Sequence, residues 1–229
     1  MSKKKIKVRV KKRKIKVKRI LICILLIIVF ILSFYYISRL PIKNIYITGN
    51  NIISDKEIID TVGVGDYPSF LGTSSRNIIE KLKDNIYIKD IEVKKTLYNK
   101  LYIYITEKKV LCIYGDELLL EDGIMTKNIY NITSYPILLS DISSIKDKFI
   151  TKFSLIEDTI LLKISEIEYT PNDVDVERFM LRMNDGNLVY ITLNKVEKIN
   201  KYNSIYSNLD GKKGIIYLDS GDYVEVKEE

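Results

Sequence analysis

Residues 20–38 read ILICILLIIVFILSFYYIS, nineteen consecutive positions without a charge, a proline or a glycine. At 1.5 Å per helical residue the run extends roughly 28 Å, close to the thickness of a bilayer's hydrocarbon core. The alternative is a buried core helix, but such helices seldom run this long without a polar face, so the stretch reads as a transmembrane helix. It also exceeds the apolar core of a cleaved signal peptide. Arg39, Leu40 and Pro41 offer no small-residue cleavage pattern, so the helix is expected to remain as an anchor.

On the N-terminal side, residues 3–19 hold twelve Lys or Arg and no acid. The chain's +7 net charge over 229 residues is therefore +12 at one end and −5 (25 bases against 30 acids) over the rest. The average basicity does not describe a basic folded domain, and no nucleic-acid partner is expected. Only Arg39, Lys43 and Lys56 follow within twenty residues of the span, so the count places residues 1–19 in the cytoplasm as a basic segment and the remainder outside. The segment KKKIKVRVKKRKIKVKR alternates bases with Ile6, Val8, Val10, Ile15 and Val17, a pattern open to a strand or a nucleic-acid arm. Its juxtamembrane position favours a topology signal with loose contact to anionic membrane lipids. Tyr35 and Tyr36 fit an interfacial aromatic anchor at the other end of the span.

Beyond Pro41 the texture changes to period-two alternation broken by turn residues. Ile45 and Ile47 alternate with Tyr46 and Thr48 ahead of Gly49-Asn50, a short strand and its turn. Ser54 and Glu57 form a capping box before Ile58, Ile59 and Val62, with Gly63 placed to stop the helix. After a Gly/Pro/Ser loop over 65–73, Ile78, Ile79 and Leu82 recur at helical spacing. Ile91 and Val93, then Leu101, Ile103 and Ile105, show strand alternation either side of a turn at Tyr98-Asn99-Lys100. The order is β-α-α-β-β.

Downstream, Glu121-Asp122-Gly123 and Tyr135-Pro136 punctuate short apolar runs. Ile145, Phe149, Phe153, Ile156 and Ile160 predict one helix capped by Ser143 or Ser144. Arg178–Met183 and Leu188–Leu193 flank Asn-Asp-Gly-Asn, a hairpin signal. Ile199, Tyr202, Ile205, Tyr206 and Leu209 predict a further helix before Gly211, and the chain closes on 214–218 and 223–226 as strands.

These segments resemble the FtsQ/DivIB family. The resemblance is carried by Ile45-Tyr-Ile47-Thr-Gly49-Asn50 with Ser54 and Ile58, by Ile88-Lys-Asp-Ile91-Glu-Val93, and by Leu101-Tyr-Ile-Tyr-Ile105-Thr-Glu107, which look like a POTRA domain. It continues through Ile164–Ile167, Asp185-Gly186, Glu197-Lys198 and Ile216–Leu218, which are similar to the family's β domain. Where the family usually carries prolines near 86, 97 and 110, this chain has Ile86, Leu97 and Val110. The resemblance implies an α+β chain: basic segment 1–19, span 20–38, POTRA domain 40–109, mixed β-rich domain with helices 110–226, and a short tail 227–229.

Composition removes several chemistries. Without histidine there is no Ser-His-Asp or Cys-His nucleophile and no histidine metal site. Cys23, in the span, and Cys112 are too few for a metal cluster or a disulfide scaffold, and Cys112 reads as a small buried hydrophobe. Gly63-Val-Gly65 lacks the third glycine of a phosphate loop, and no acid pair stands out as a glycosidase dyad. No catalytic residue, metal or cofactor is expected.

The resemblance implies a division-site scaffold that binds FtsL-like and DivIC-like septal membrane proteins and works alongside the septal peptidoglycan synthase. Rival classes are a POTRA-bearing translocation or sensor protein and a membrane-anchored cell-wall enzyme. The first needs a membrane barrel and the second a nucleophile with a base, which the remaining residues do not offer. In the family, partners are bound by the end of the β domain, here 214–226. An exposed terminal strand there suits β-strand addition, with Ile215, Ile216, Tyr217, Leu218, Tyr223 and Val224 as the partner-binding residues.

Overall fold

The computed structural model describes residues 16–96 and 99–226. Most of the basic segment, the tail 227–229, Leu97 and Tyr98 lie outside the described residues. The first helix, α1 (Val17–Ser38), contains the whole apolar run; its 22 residues exceed the bilayer requirement and none is buried by protein. Among the described residues it is the one helix long and apolar enough to cross a membrane, at the place expected from the sequence.

The chain divides into two compact units, the first holding α1 and most of the POTRA elements. β1 (Asn44–Thr48) leads into α2 (Asp55–Val62), where Ser54 Oγ accepts the Glu57 N–H at 3.2 Å as the capping box requires and Gly63 ends the helix. α3 (Ser75–Leu82), β2 (Ile88–Thr96) and β3 (Lys100–Glu107) complete the β-α-α-β-β order. The three strands form one sheet in the order β1-β3-β2, with β1 parallel to β3 and Ile45 opposite Leu101. Ile58, Val62, Ile78 and Leu82 from the helices are buried, as are Leu101, Ile103 and Ile105 from the central strand. Gly49 has φ +86°, and a Cβ there would overlap the Ile105 carbonyl oxygen, so the turn after β1 admits glycine alone.

The second unit also takes in residues 50–52 and 86–90. Glu107, the acid closing the quoted POTRA motif, accepts the backbone N–H groups of Asn51 and Ile52 at 2.8 Å. From there β4 (Val110–Tyr114), β5 (Glu117–Leu120), β6 (Met125–Lys127) and the two-residue β7 (Ile137–Leu138) precede the helices α4 (Lys146–Phe153) and α5 (Asp158–Leu161). β8 (Ile164–Tyr169), β9 (Arg178–Met183) and β10 (Leu188–Thr192) follow. The 3-10 helix Leu193–Lys201 and α6 (Tyr202–Ser207) lead to β11 (Gly214–Tyr217) and β12 (Tyr223–Val226). All nine strands form one sheet in the order β12-β11-β10-β9-β8-β7-β4-β5-β6. One face packs Leu181, Val189, Ile191 and Ile216 into a core with Phe149 and Phe153, whose rings stack at 4.0 Å, and with Ile199 and Tyr202.

Two helices differ from their expected form. The continuous helix predicted over 145–160 is a 3-10 turn (Ser143–Ile145), α4 and α5. Neither Ser143 nor Ser144 caps α4; instead Asp141 Oδ1 accepts the Ser143 N–H at 2.9 Å. The break at 154–157 is stabilised from elsewhere in the chain. Asn200 accepts the Glu157 N–H at 2.8 Å and donates to the Leu155 carbonyl at 3.0 Å, satisfying backbone groups that a continuous helix would have paired internally. The helix predicted over 199–209 is 3-10 through Lys201 and α-helical only in α6, so Ile199 lies before it and Leu209 beyond it.

Candidate partner-binding edge of the β domain

The end of the chain supplies the outermost strand of the nine-stranded sheet. β11 runs parallel to β10 with Val189 opposite Ile216 and Tyr190 opposite Tyr217, while β12 pairs antiparallel with β11, Ile216 opposite Val224 and Tyr217 opposite Tyr223. On its β10 side, β11 uses the Gly214 N–H, which donates to Asn187 Oδ1 at 2.8 Å, and the Leu218 N–H just past its end donates to the Tyr190 carbonyl at 2.8 Å. Peptide groups alternate along a strand, so those of Ile215 and Tyr217 turn toward β12. Tyr223 and Glu225 meet them. The N–H and C=O groups of Val224 and Val226 therefore project from the free edge, and no further strand pairs with β12 among the described residues.

Side chains alternate as well, and this divides the six sequence-predicted residues. Ile216 and Leu218 are buried in the core, 1% and 5% exposed, which removes their side chains from any partner contact. Val224 packs partly against the same core. Ile215 and Tyr217 lie one strand in from the edge, on the opposite face, and Tyr223 is the most open of the six at 51%. On that face Tyr190, Tyr217 and Tyr223 form a stacked row across three strands, with ring centroids 5.4 and 4.6 Å apart. Sequence reasoning missed Tyr190 and also Arg178, whose guanidinium sits 3.8 Å over the Tyr190 ring. Their link to Tyr217 depends on sheet register, which local patterning does not report.

The turn that joins β11 to β12 is braced twice. Arg178 Nε donates to Asp219 Oδ2 at 2.7 Å, and burial that would raise the Asp219 carboxyl is outweighed by this hydrogen bond and charge together with hydrogen bonds from Ser220, leaving it below its ordinary value. Lys198 on the 3-10 helix pairs with Asp222 at 2.6 Å and holds the β11–β12 turn. Burial, and then the hydrogen bond to Glu225 Oε2 at 3.2 Å, raise the Tyr217 hydroxyl, so the phenol stays neutral at physiological pH. Gly214 lets the strands approach, because a Cβ there would lie 2.7 Å from the Glu225 carbonyl oxygen.

Between the helical layer and this edge runs a groove of about 270 Å³, lined in part by Lys201, Ile205, Asn208 and Val224. A strand added outside β12 would satisfy Val224 and Val226, present alternate side chains to the groove, and lay the intervening ones beside Tyr223 and Glu225. Cys112 is fully buried and its thiol is pushed up to about 12 by that burial, so it is not a reactive group. Among the described residues no cluster of His, Cys, Asp and Glu is arranged to hold a metal.

Comparison with known proteins gives the chain's relatives. Residues 40–108 match the family model for a POTRA domain of FtsQ type. The chain is 32% identical to cell division protein DivIB of Bacillus subtilis over 194 residues, covering 80% of this chain and 73% of that protein. It is 29% identical to DivIB of Listeria monocytogenes over 209 residues, 85% of this chain and 76% of the relative. A solved structure, the major extracytoplasmic domain of the trans isomer of DivIB from Geobacillus stearothermophilus, covers 46% of this chain and 96% of its own at 22% identity, with a TM-score of 0.38. One span, a POTRA domain and a β-rich domain define a single-pass membrane protein of POTRA type. Within that class, the sequence relatives are decisive: the chain belongs to the DivIB/FtsQ family of bacterial cell division proteins.

Proposed function

We propose that this protein acts in division as a non-catalytic scaffold at the septum, its N-terminus cytoplasmic, binding FtsL-like and DivIC-like membrane proteins by strand addition to β12 alongside the septal peptidoglycan synthase. The observation that carries the proposal is the free edge of β12, where the backbone groups of Val224 and Val226 face outward beside an aromatic row that ends in the exposed Tyr223. Sequence membership supplies the division context. Anionic lipid contact by residues 1–19 belongs to the same proposal and rests on their charge.

The test removes the edge without removing the core. Truncation before Gly214 would delete Ile216 and Leu218 and unfold the domain, whereas truncation after Asp222 deletes β12 and keeps both residues, along with the Lys198–Asp222 pair. The shortened protein is expected to melt cooperatively and to lose the FtsL-like and DivIC-like partners. Undiminished binding would exclude the edge and direct attention to the POTRA sheet, where Tyr46, Tyr102 and Tyr104 make a second stacked row.

A further inference from the structure

The loop between α2 and α3 is tied to the chain at the point where the span ends. Ser69 Oγ donates to the carbonyl of Ser38, the last residue of α1. The Phe70 N–H donates to the Leu40 carbonyl at 2.8 Å, the Ile42 N–H donates to the Pro68 carbonyl at 2.9 Å, and Pro41 and Ser69 form an antiparallel bridge. From the other side Lys95 braces the loop, donating to the carbonyls of Phe70 at 2.9 Å and Thr73 at 2.6 Å while lying 5.0 Å over the Phe70 ring.

Two apolar side chains at this loop point away from the protein. Tyr67 is 74% exposed and Leu71 47% exposed, each two residues, or within about 7 Å of chain, from Ser69, which is bonded to the end of α1. Tyr67 has φ +45°, a region few non-glycine residues adopt, and it directly precedes Pro68, which restricts its neighbour further. An outlier held by surrounding hydrogen bonds marks a conformation kept for a purpose. Tyrosine is a residue favoured at membrane–water boundaries, where its ring is wetted at one end only.

We propose that Tyr67 and Leu71 are a second membrane contact, seated in the interfacial layer of the leaflet on the POTRA side of the span. The occupant is lipid because the loop is bonded to the last carbonyl of the transmembrane helix, so it sits at the bilayer boundary whenever α1 crosses. Arg39 and Lys43 near the loop suit lipid phosphates, and Asp66 on the loop itself limits the depth to the headgroup and upper acyl region. Contact at both α1 and this loop restrains rotation of the POTRA domain about residues 39–43. The inference rests on the span and on the loop bonded to its end, and is independent of any partner at β12.

The chain contains no tryptophan, so one introduced indole is a unique reporter. Tyr67→Trp and Leu71→Trp are made singly in the full chain and reconstituted in phosphatidylcholine–phosphatidylglycerol vesicles, with and without bromine on the upper acyl carbons. Tyr104→Trp is the reference: it lies opposite Thr48, four residues or about 13 Å along β1 from Asn44. Tryptophan at 67 and at 71 is expected to emit at shorter wavelength than at 104 and to lose intensity in brominated vesicles, while the reference keeps its intensity. Emission and quenching equal to the reference at both positions would overturn the proposal. A blue shift without quenching would also overturn it, by showing the ring covered with protein. The two positions read independently, so a variant that fails to fold leaves the other as the test.

Discussion

The ring of Tyr223 stacks on that of Tyr217 across the β11–β12 pair, 4.6 Å between centroids and 17° from parallel. Tyr217 in turn stacks on Tyr190, so an exposed ring on the edge strand is held by two rings further into the sheet. This supplies a preorganised aromatic surface beside the free backbone edge. Replacing Tyr223 by Ala is expected to cost little stability, within about 1 kcal/mol for a cross-strand pair, while weakening partner affinity at least tenfold. Melting curves and titration with the FtsL-like and DivIC-like proteins separate the two effects; unchanged affinity in a folded variant would remove Tyr223 from the surface.

Gly214 makes the contrasting prediction. A methyl group at this position would press against the Glu225 carbonyl oxygen and push β12 outward. Gly214→Ala is expected to destabilise the β domain by about 1–3 kcal/mol and to weaken partner binding with it. A thermal unfolding curve identical to that of the parent would show that the strands are not packed this closely.

Tyr202 anchors the β9–β10 turn from α6. Its hydroxyl donates to the Asp185 carboxylate at 2.7 Å and accepts from Asn187 Nδ2 at 2.9 Å, and Asn187 is itself buried and accepts the Gly214 N–H. Burial, then the Asp185 carboxylate, push the phenol well above its ordinary value. Tyr202→Phe removes the hydroxyl that the buried Asn187 side-chain amide donates to, an expected loss of about 1–3 kcal/mol. Urea unfolding should show a lower midpoint at unchanged slope, and an unchanged midpoint would count against the network.

Acid should act through Asp219. Its carboxyl lies below its ordinary value of 3.8 because burial, the largest single effect, is outweighed by the Arg178 and Ser220 interactions together. A depressed carboxyl stabilises the fold fully above the unfolded value and loses that contribution as pH falls through the lower folded value. The β domain is therefore expected to weaken as pH drops below about 4, and Asp219→Asn to flatten that part of the profile. Stability measured against pH in the two proteins checks this; parallel curves would contradict it.

Local features of this fold were legible in the sequence because their causes are local. The Ser54–Glu57 capping box, the Asn184–Asn187 turn and the apolar run of α1 each act over a few residues. What stayed hidden is long-range. Asn200 breaks a helix 43 residues away by satisfying its backbone, and a two-residue strand at Ile137–Leu138 joins two halves of a sheet. At the candidate edge, the final strands were readable, but Tyr223-Val-Glu-Val226 alternates without a clear polar face, so the parity that buries Ile216 and exposes Tyr223 came only from register.

Strand addition at β12 is tested most directly by amide hydrogen exchange at Val224 and Val226 in the full chain, with and without the FtsL-like and DivIC-like partners. Free protein should exchange both rapidly, since their N–H groups face outward from an unpaired edge. Bound protein should protect both strongly, while Ile215 and Tyr217, already paired within the sheet, change far less. Saturating partner binding that leaves Val224 and Val226 exchanging as fast as in the free protein would contradict the account.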